Sequence, residues 1–300
     1  MYVLHLAWIV ERLLFAMDSV HNNYVTEKIY LPSSFLKRTV VVDTYFPQRF
    51  PFGTKVELLL FNDGQLLLEM DFNTIINRFT KNNPKQHLLV AAIHAGEDRV
   101  MEYGTAGILN YKGQGAKASC YTQFIMRELI AFIYKRYPFI STSAISIAGF
   151  SLGALSALDI AWNNARSFKK VGMFSASFWW RNKALGKAYN DSTDRIMHTL
   201  IRNGRYHPQL RFYFECGTND EEMDRNNNGI IDSIDDTEDL IRELLNKGYK
   251  AADIYYSLIE NGQHNAETWG DAMPEFLLWG WSADATLQKE LKLESSYFPA

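Results

Sequence analysis

Apolar and polar positions along this chain fall into short blocks that switch between two periods. Residues 26–31 and 38–46 alternate and are rich in β-branched residues, with a Val40-Val41-Val42 run, and Pro32, Pro47 and Pro51 punctuate them. Val56 to Phe61 is almost continuously apolar and stops at Asn62-Asp63-Gly64-Gln65; Leu88 to Ile93 is a second such run, followed by His94-Ala95-Gly96. Runs of this kind predict strands buried on both faces. Between residues 116 and 137, Tyr121, Phe124, Ile125, Leu129, Phe132 and Ile133 form one helical stripe that ends before Pro138. Ser143 to Ala148 alternates again, and Leu152, Leu155, Leu158 and Trp162 return to helical spacing. Val171–Phe174 predicts a strand, residues 182–202 a polar helical region, and Leu210, Phe212, Phe214 and Cys216 another strand. A helix is expected over 236–247, with Thr237 near its start and Gly248 at its stop, and a last strand over 253–259. Strand and helix alternate repeatedly, which predicts an α/β fold: a mostly parallel sheet of about eight strands flanked by helices on both faces.

No linker, repeat or low-complexity tract interrupts the 300 residues, so residues 25–300 are expected to form one domain. The 47 % hydrophobic content is enough for a large core. A net charge of −3 gives no reason to expect nucleic acid or an anionic membrane as partner. Two cysteines, Cys120 and Cys216, match no metal spacing, and Cys216 ends a strand pattern as a buried thiol would. Residues 1–17 are apolar but carry Glu11 and Arg12, lack a basic leader and a small-residue cleavage site, and are too short to span a bilayer. Residues 1–24 are therefore expected to be an N-terminal extension of uncertain order, and the cytoplasm is the expected compartment.

The chemistry concentrates at Gly149-Phe150-Ser151-Leu152-Gly153, which lies between a predicted strand and a predicted helix. A serine there sits on a tight strained turn, and flanking glycines let the backbone turn sharply and the helix pack close. The turn would expose Oγ at the carboxyl edge of the sheet, with the Leu152 N–H at the helix start available to an oxyanion. A serine nucleophile needs a base and an acid, which in folds with this turn follow it in chain order. His198, His207 and His264 follow Ser151; His264 lies in a polar loop after the last strand, where the base belongs. His94 precedes the serine and is expected to face substrate or to be structural. Asp220 is the first carboxylate beyond its strand, with Glu221, Glu222 and Asp224 as competitors. The second oxyanion donor is expected from the Asn62-Asp63-Gly64-Gln65 loop, with the Gln65 N–H as the candidate.

Residues 224–235 have the spacing of an EF-hand loop: Asp224, Asn226, Asn228, the Ile230 carbonyl, Asp232 and Asp235 stand at ligand positions, with Gly229 at the bend. The last ligand is Asp rather than Glu, and no helix clearly precedes the loop. The expectation is either a structural Ca2+ pinning the loop that carries Asp220, or a turn held by Asx hydrogen bonds.

Taken together, the 61–65, 94–99, 102–105, 149–153, 174–180, 217–220 and 262–265 segments resemble the putative-esterase family of α/β-hydrolases, over about residues 25–282. That family includes enterochelin esterases, feruloyl esterase domains, S-formylglutathione hydrolase and mycolyltransferases. The resemblance implies an α/β-hydrolase fold without a large lid domain, Ser151 as nucleophile, Asp220 as acid, His264 as base, and Leu152 and Gln65 as oxyanion donors. It implies a small-molecule ester substrate and no cofactor for catalysis. His94, Arg99, Glu102, Tyr103, Phe178, Trp179 and Trp180 are candidates for the substrate pocket; a plain core role for the aromatics, and an Arg99 pair with Glu97 or Glu102, are the competing readings. An acyltransferase with the same triad, and a calcium-stabilised binding protein on the same scaffold, are the alternatives to an esterase.

Overall fold

The computed structural model describes residues 24–49 and 55–282; residues 1–23 of the expected N-terminal extension lie outside them, and Tyr24, expected to end it, is the first residue of a strand. Eight strands form one sheet: β1 (Tyr24–Ser33), β2 (Arg38–Pro47), β3 (Val56–Asn62), β4 (His87–Ile93), β5 (Ile140–Phe150), β6 (Phe168–Phe174), β7 (Arg211–Asn219) and β8 (Ile254–Gln263). Their spatial order is β1-β2-β4-β3-β5-β6-β7-β8. β1 and β2 pair antiparallel, β2 joins β4 antiparallel, and β3 to β8 run parallel. All carboxyl ends of the parallel strands therefore meet at one edge, where ligands bind in open α/β sheets.

Residue alternation along the strands sorts the core into two layers. Leu58, Leu60, Ile145, Ile147, Val171, Met173, Phe212 and Phe214 face one side, with the helices α4 (Ala118–Gln123), α5 (Ile130–Arg136), α6 (Leu152–Asn163), α8 (Ile196–Asn203) and α9 (Asp232–Lys247). Leu59, Phe61, Ala148, Phe150, Phe174 and Tyr213 face the other, under α2 (Phe72–Asn82) and α10 (Ala266–Trp281). Short helices α1 (Leu66–Glu69), α3 (Arg99–Glu102) and α7 (Asp191–Asp194) sit in the loops. Both faces of the sheet are covered, as near-continuous apolar strands require.

Three elements differ from the periodicity reading. The 118–136 helix contains a π-helical stretch, Phe124–Leu129, between α4 and α5. The region expected to be helical over 182–202 holds only α7 and α8: Gly186 has φ 151° and Asn190 caps the Ser192 N–H, so helix begins only at Asp191. α9 starts at Asp232, inside the expected calcium loop, where the carboxylates of Asp232 and Asp235 meet the positive end of the helix. No described helix is long and apolar enough to cross a membrane.

Candidate active site

Ser151 is the residue between β5 and α6, and its backbone is forced to φ 54° and ψ −120°. A non-glycine residue in that region is strained. The turn is held because the Ser151 N–H donates to the Phe174 carbonyl at 2.9 Å. It is possible only with small neighbours: a Cβ on Gly149 would lie 2.5 Å from the Gly153 carbonyl, and one on Gly153 would lie 2.3 Å from Asp63 Oδ2.

Asp220 directly follows β7 and His264 directly follows β8, so two adjacent parallel strands deliver them to the same edge. Ser151, Asp220 and His264 line one cavity of about 250 Å³, together with Ser175, Ala176, Ser177, Trp179, Glu221 and Ser233. Ser177 Oγ stands 3.3 Å from Ser151 Oγ. Burial pulls the His264 imidazole below its ordinary pKa; the Asp220 charge opposes this and the Arg99 charge adds to it. A depressed pKa keeps the ring neutral and able to accept a proton near pH 7.

Asp220 is held from behind by residues to which sequence reading assigned no role. Ser175, itself strained at φ 44°, donates its hydroxyl to Asp220 Oδ1 at 3.1 Å. Ser175 Oγ in turn accepts the Trp269 indole N–H at 2.8 Å. The Trp269 ring also packs edge-on to His264, with centroids 5.2 Å apart. Glu215 lies beside this group; burial first and the Asp220 charge second push its carboxyl well above the usual carboxylate range. Cys216 is a buried free thiol with Sγ 3.3 Å from Asp220 Oδ2. Glu221, on the cavity wall, is pushed up to about 7 by burial and by the charges of Asp232, Asp236 and Asp220. The sequence signal for Ser175 and Ser177 is their place just past the end of β6, next to the elbow's own strand.

Leu152 is the first residue of α6 and Gln65 is the N-cap of α1, so the N–H groups of both have no partner within their helix. The pocket candidates divide sharply. Trp179 lines the cavity. Phe178 and Trp180 are instead buried in the core, Phe178 against Phe214. The backbone past β6 turns only Trp179 of the trio to the cavity. His94 binds Asp43 at 2.7 Å, and Glu102 is buried and grips Arg38 through both oxygens at 2.8 and 2.6 Å. Tyr103 is fully buried and its hydroxyl accepts the Asp63 N–H. Arg99 pairs with neither Glu97 nor Glu102: it forks onto Asp63 with two bonds of 2.7 Å. Its charge still reaches His264.

The 224–235 loop is closed by its own hydrogen bonds. Asp224 accepts the Asn228 and Gly229 N–H groups, and Asn226 and Asn228 donate their amides to Asp235 Oδ2 at 2.9 and 2.8 Å. The Asn228 side chain accepts the Ile230 N–H, and Asp232 turns away to Arg225 at 3.1 Å. Among the described residues, no group of three or more His, Cys, Asp or Glu side chains gathers as a metal centre. Three of the six expected ligand positions, at 226, 228 and 235, do converge.

The sequence profile of the family described as "Putative esterase" matches residues 33–279. Comparison with curated proteins gives no match. Among solved structures, the enterobactin esterase FES from Shigella flexneri superposes with a TM-score of 0.64 at 19 % identity, covering 85 % of this chain and 59 % of that one. This chain thus spans under two thirds of that protein's length. A ferulic acid esterase superposes with a TM-score of 0.62 at 15 % identity, covering 86 % and 97 % of the two chains. The S-formylglutathione hydrolase FrmB from Staphylococcus aureus gives 0.61 and 15 %, covering 88 % and 99 %. At these identities the superpositions establish the α/β-hydrolase fold.

Proposed function

The chain belongs to the putative esterase family, and we propose that it is a carboxylic-ester hydrolase that cleaves a small-molecule ester through an acyl-enzyme on Ser151. His264 removes the Ser151 proton as Oγ attacks the ester carbonyl, and Asp220 holds the imidazole tautomer and stabilises the imidazolium. The Leu152 and Gln65 N–H groups take the oxyanion. His264 then protonates the departing alcohol, activates a water, and recovers Ser151 as the acid product leaves. The observation that carries this reading is the strained Ser151 backbone opening into a cavity shared with His264 and Asp220.

The test is labelling by a fluorophosphonate together with hydrolysis of 4-nitrophenyl acetate and butyrate. The wild type is expected to label and turn over, and Ser151→Ala and His264→Ala to do neither. A folded wild type that neither labels nor turns over refutes the mechanism. For the 224–235 loop, the proposed role of calcium is structural, bracing the segment that begins at Asp220. At a calcium concentration 100-fold above Kd, the native state would gain about 2.7 kcal/mol. The same melting temperature in calcium and in chelator, with no binding heat, refutes it.

A further inference from the structure

The cavity wall explains where the bond is cut but not which ester is chosen, and beside it stands a guanidinium that pairs with no carboxylate among the described residues. Arg181 closes the segment that runs from Ser175 past Trp179. Its guanidinium carbon lies 5.0 Å from the Tyr111 ring centroid, 5.7 Å from Trp179 and 5.8 Å from Tyr189. The collar is fixed: the Tyr111 N–H donates to the Arg181 carbonyl at 3.0 Å, and the Tyr189 hydroxyl donates to Asp191 at 2.7 Å. Trp179 belongs to both groups, since it also lines the cavity with Ser151 and His264.

Four other arginines packed into this fold hold carboxylates. Arg38 grips Glu102, Arg99 grips Asp63, Arg195 grips Asp236 and Asp239, and Arg225 grips Asp191, Asp232 and Asp236. Arg181 is partly buried, yet among the described residues no carboxylate pairs with it. Nη1 donates to the Trp179 carbonyl at 3.3 Å, and Nε is buried without a partner. Aromatic faces offset part of the lost hydration but satisfy none of the in-plane N–H donors. With Nε buried and one Nη1 hydrogen given to Trp179, the Nη1–Nη2 edge of the guanidinium retains its capacity for an oxyanion, and that edge matches a carboxylate.

We propose that Arg181 is a specificity residue that recognises a carboxylate on the substrate, remote from the scissile ester, with the body of the substrate lying across Trp179. The cavity interior carries Asp220, which repels an anion there and favours its placement outside, over Trp179. This deepens the esterase reading and rests on it.

The experiment compares 4-nitrophenyl monoesters of succinate, glutarate and adipate with their methyl-capped neutral twins, and 3-acetoxybenzoate with its methyl ester. The first set places the carboxylate on the acyl side, the second on the alcohol side. The wild type is expected to prefer the anionic member of at least one pair by tenfold or more in kcat/KM, less so at high salt. Arg181→Gln should reduce that ratio about tenfold, and Arg181→Lys should retain part of it. No anionic preference in the wild type on either side, or the same ratio in Arg181→Gln, overturns the proposal. Calorimetric binding of 4-nitrophenyl glutarate and its methyl-capped twin to Ser151→Ala, with and without Arg181→Gln, reads the same preference without turnover. It separates a failure of Arg181 recognition from a failure of the triad, which fluorophosphonate labelling of the wild type reports.

Discussion

Trp269 packs against His264 and reaches Asp220 only through Ser175, and its removal in steps tests how Asp220 is positioned. Trp269→Phe keeps an aromatic ring near Phe150 and His264 but deletes the indole N–H that reaches Ser175 Oγ at 2.8 Å. The lost hydrogen bond costs about 1 kcal/mol, and the smaller ring leaves space costing roughly 1–2 kcal/mol more. A total of about 2–3 kcal/mol lowers the melting temperature by roughly 4–12 °C for a domain of this size. In catalysis the indole acts only through Ser175, whose hydroxyl donates to Asp220 at 3.1 Å. Ser175→Ala removes that donor while keeping a Cβ at φ 44°, so backbone strain is common to both forms and cancels. Loosening Asp220 is expected to lower kcat/KM by about tenfold, near 1.4 kcal/mol. If the two residues form a chain, Trp269→Phe adds little to Ser175→Ala, and the cycle shows a coupling of about 1 kcal/mol. The assay is kcat/KM for 4-nitrophenyl acetate in all four combinations, with melting curves alongside. Additivity within about 0.5 kcal/mol refutes the chain.

Asp220→Asn leaves the shape of the site but offers the imidazole the wrong partner, so kcat should fall by about 10⁴ with the fold intact, checked by steady-state kinetics and circular dichroism. Gly153→Ala drives a methyl into Asp63 Oδ2, 2.3 Å from the ideal Cβ, and should cost about 2–3 kcal/mol in denaturant titration; a neutral result would mean that Asp63 and Arg99 move freely. His198 is buried, its Nε2–H donates to the Asp236 carbonyl, and burial followed by the Arg195 charge holds its pKa well below the ordinary histidine value. Below pH about 6.5 the unfolded chain binds a proton there that the native state refuses, so stability falls by about 1.4 kcal/mol per pH unit from this residue alone. Urea titrations at pH 7.5 and 5.5 should show that loss, and His198→Asn should reduce it.

The strands were legible because a sheet covered on both faces demands apolar runs. β3 and β4 announce themselves by composition, and the switch to helical spacing after Gly149 marks the elbow without any partner being known. The strand ends carry the candidate triad because parallel strands deliver all their carboxyl ends to one edge, a consequence of topology that alternation alone predicts. α2 is the converse: Phe72, Ile76 and Phe79 face the core at helical spacing, but the pattern analysis does not single it out. Local chemistry was readable as well, from the Ser151 turn to the Asx-rich loop at 224–235.

What the chain order cannot contain is which side chains meet across it. Asp63 receives Arg99 from beyond β4, and Glu102 receives Arg38 from β2. Both pairings engage residues that the sequence offers to the substrate site, because a buried charge pairs with an opposite charge brought near it in space. Phe178, Trp179 and Trp180 are equivalent as letters; packing alone sends one to the cavity and two to the core. The same packing sets Ser175 between Trp269 and Asp220, residues 94 and 45 positions away in sequence. It also leaves Arg181 among three rings with no carboxylate paired to it among the described residues. Periodicity is a local property and survives in one dimension. Charge pairing, side-chain direction and cavity shape depend on distances that exist only once the sheet has brought remote strand ends together.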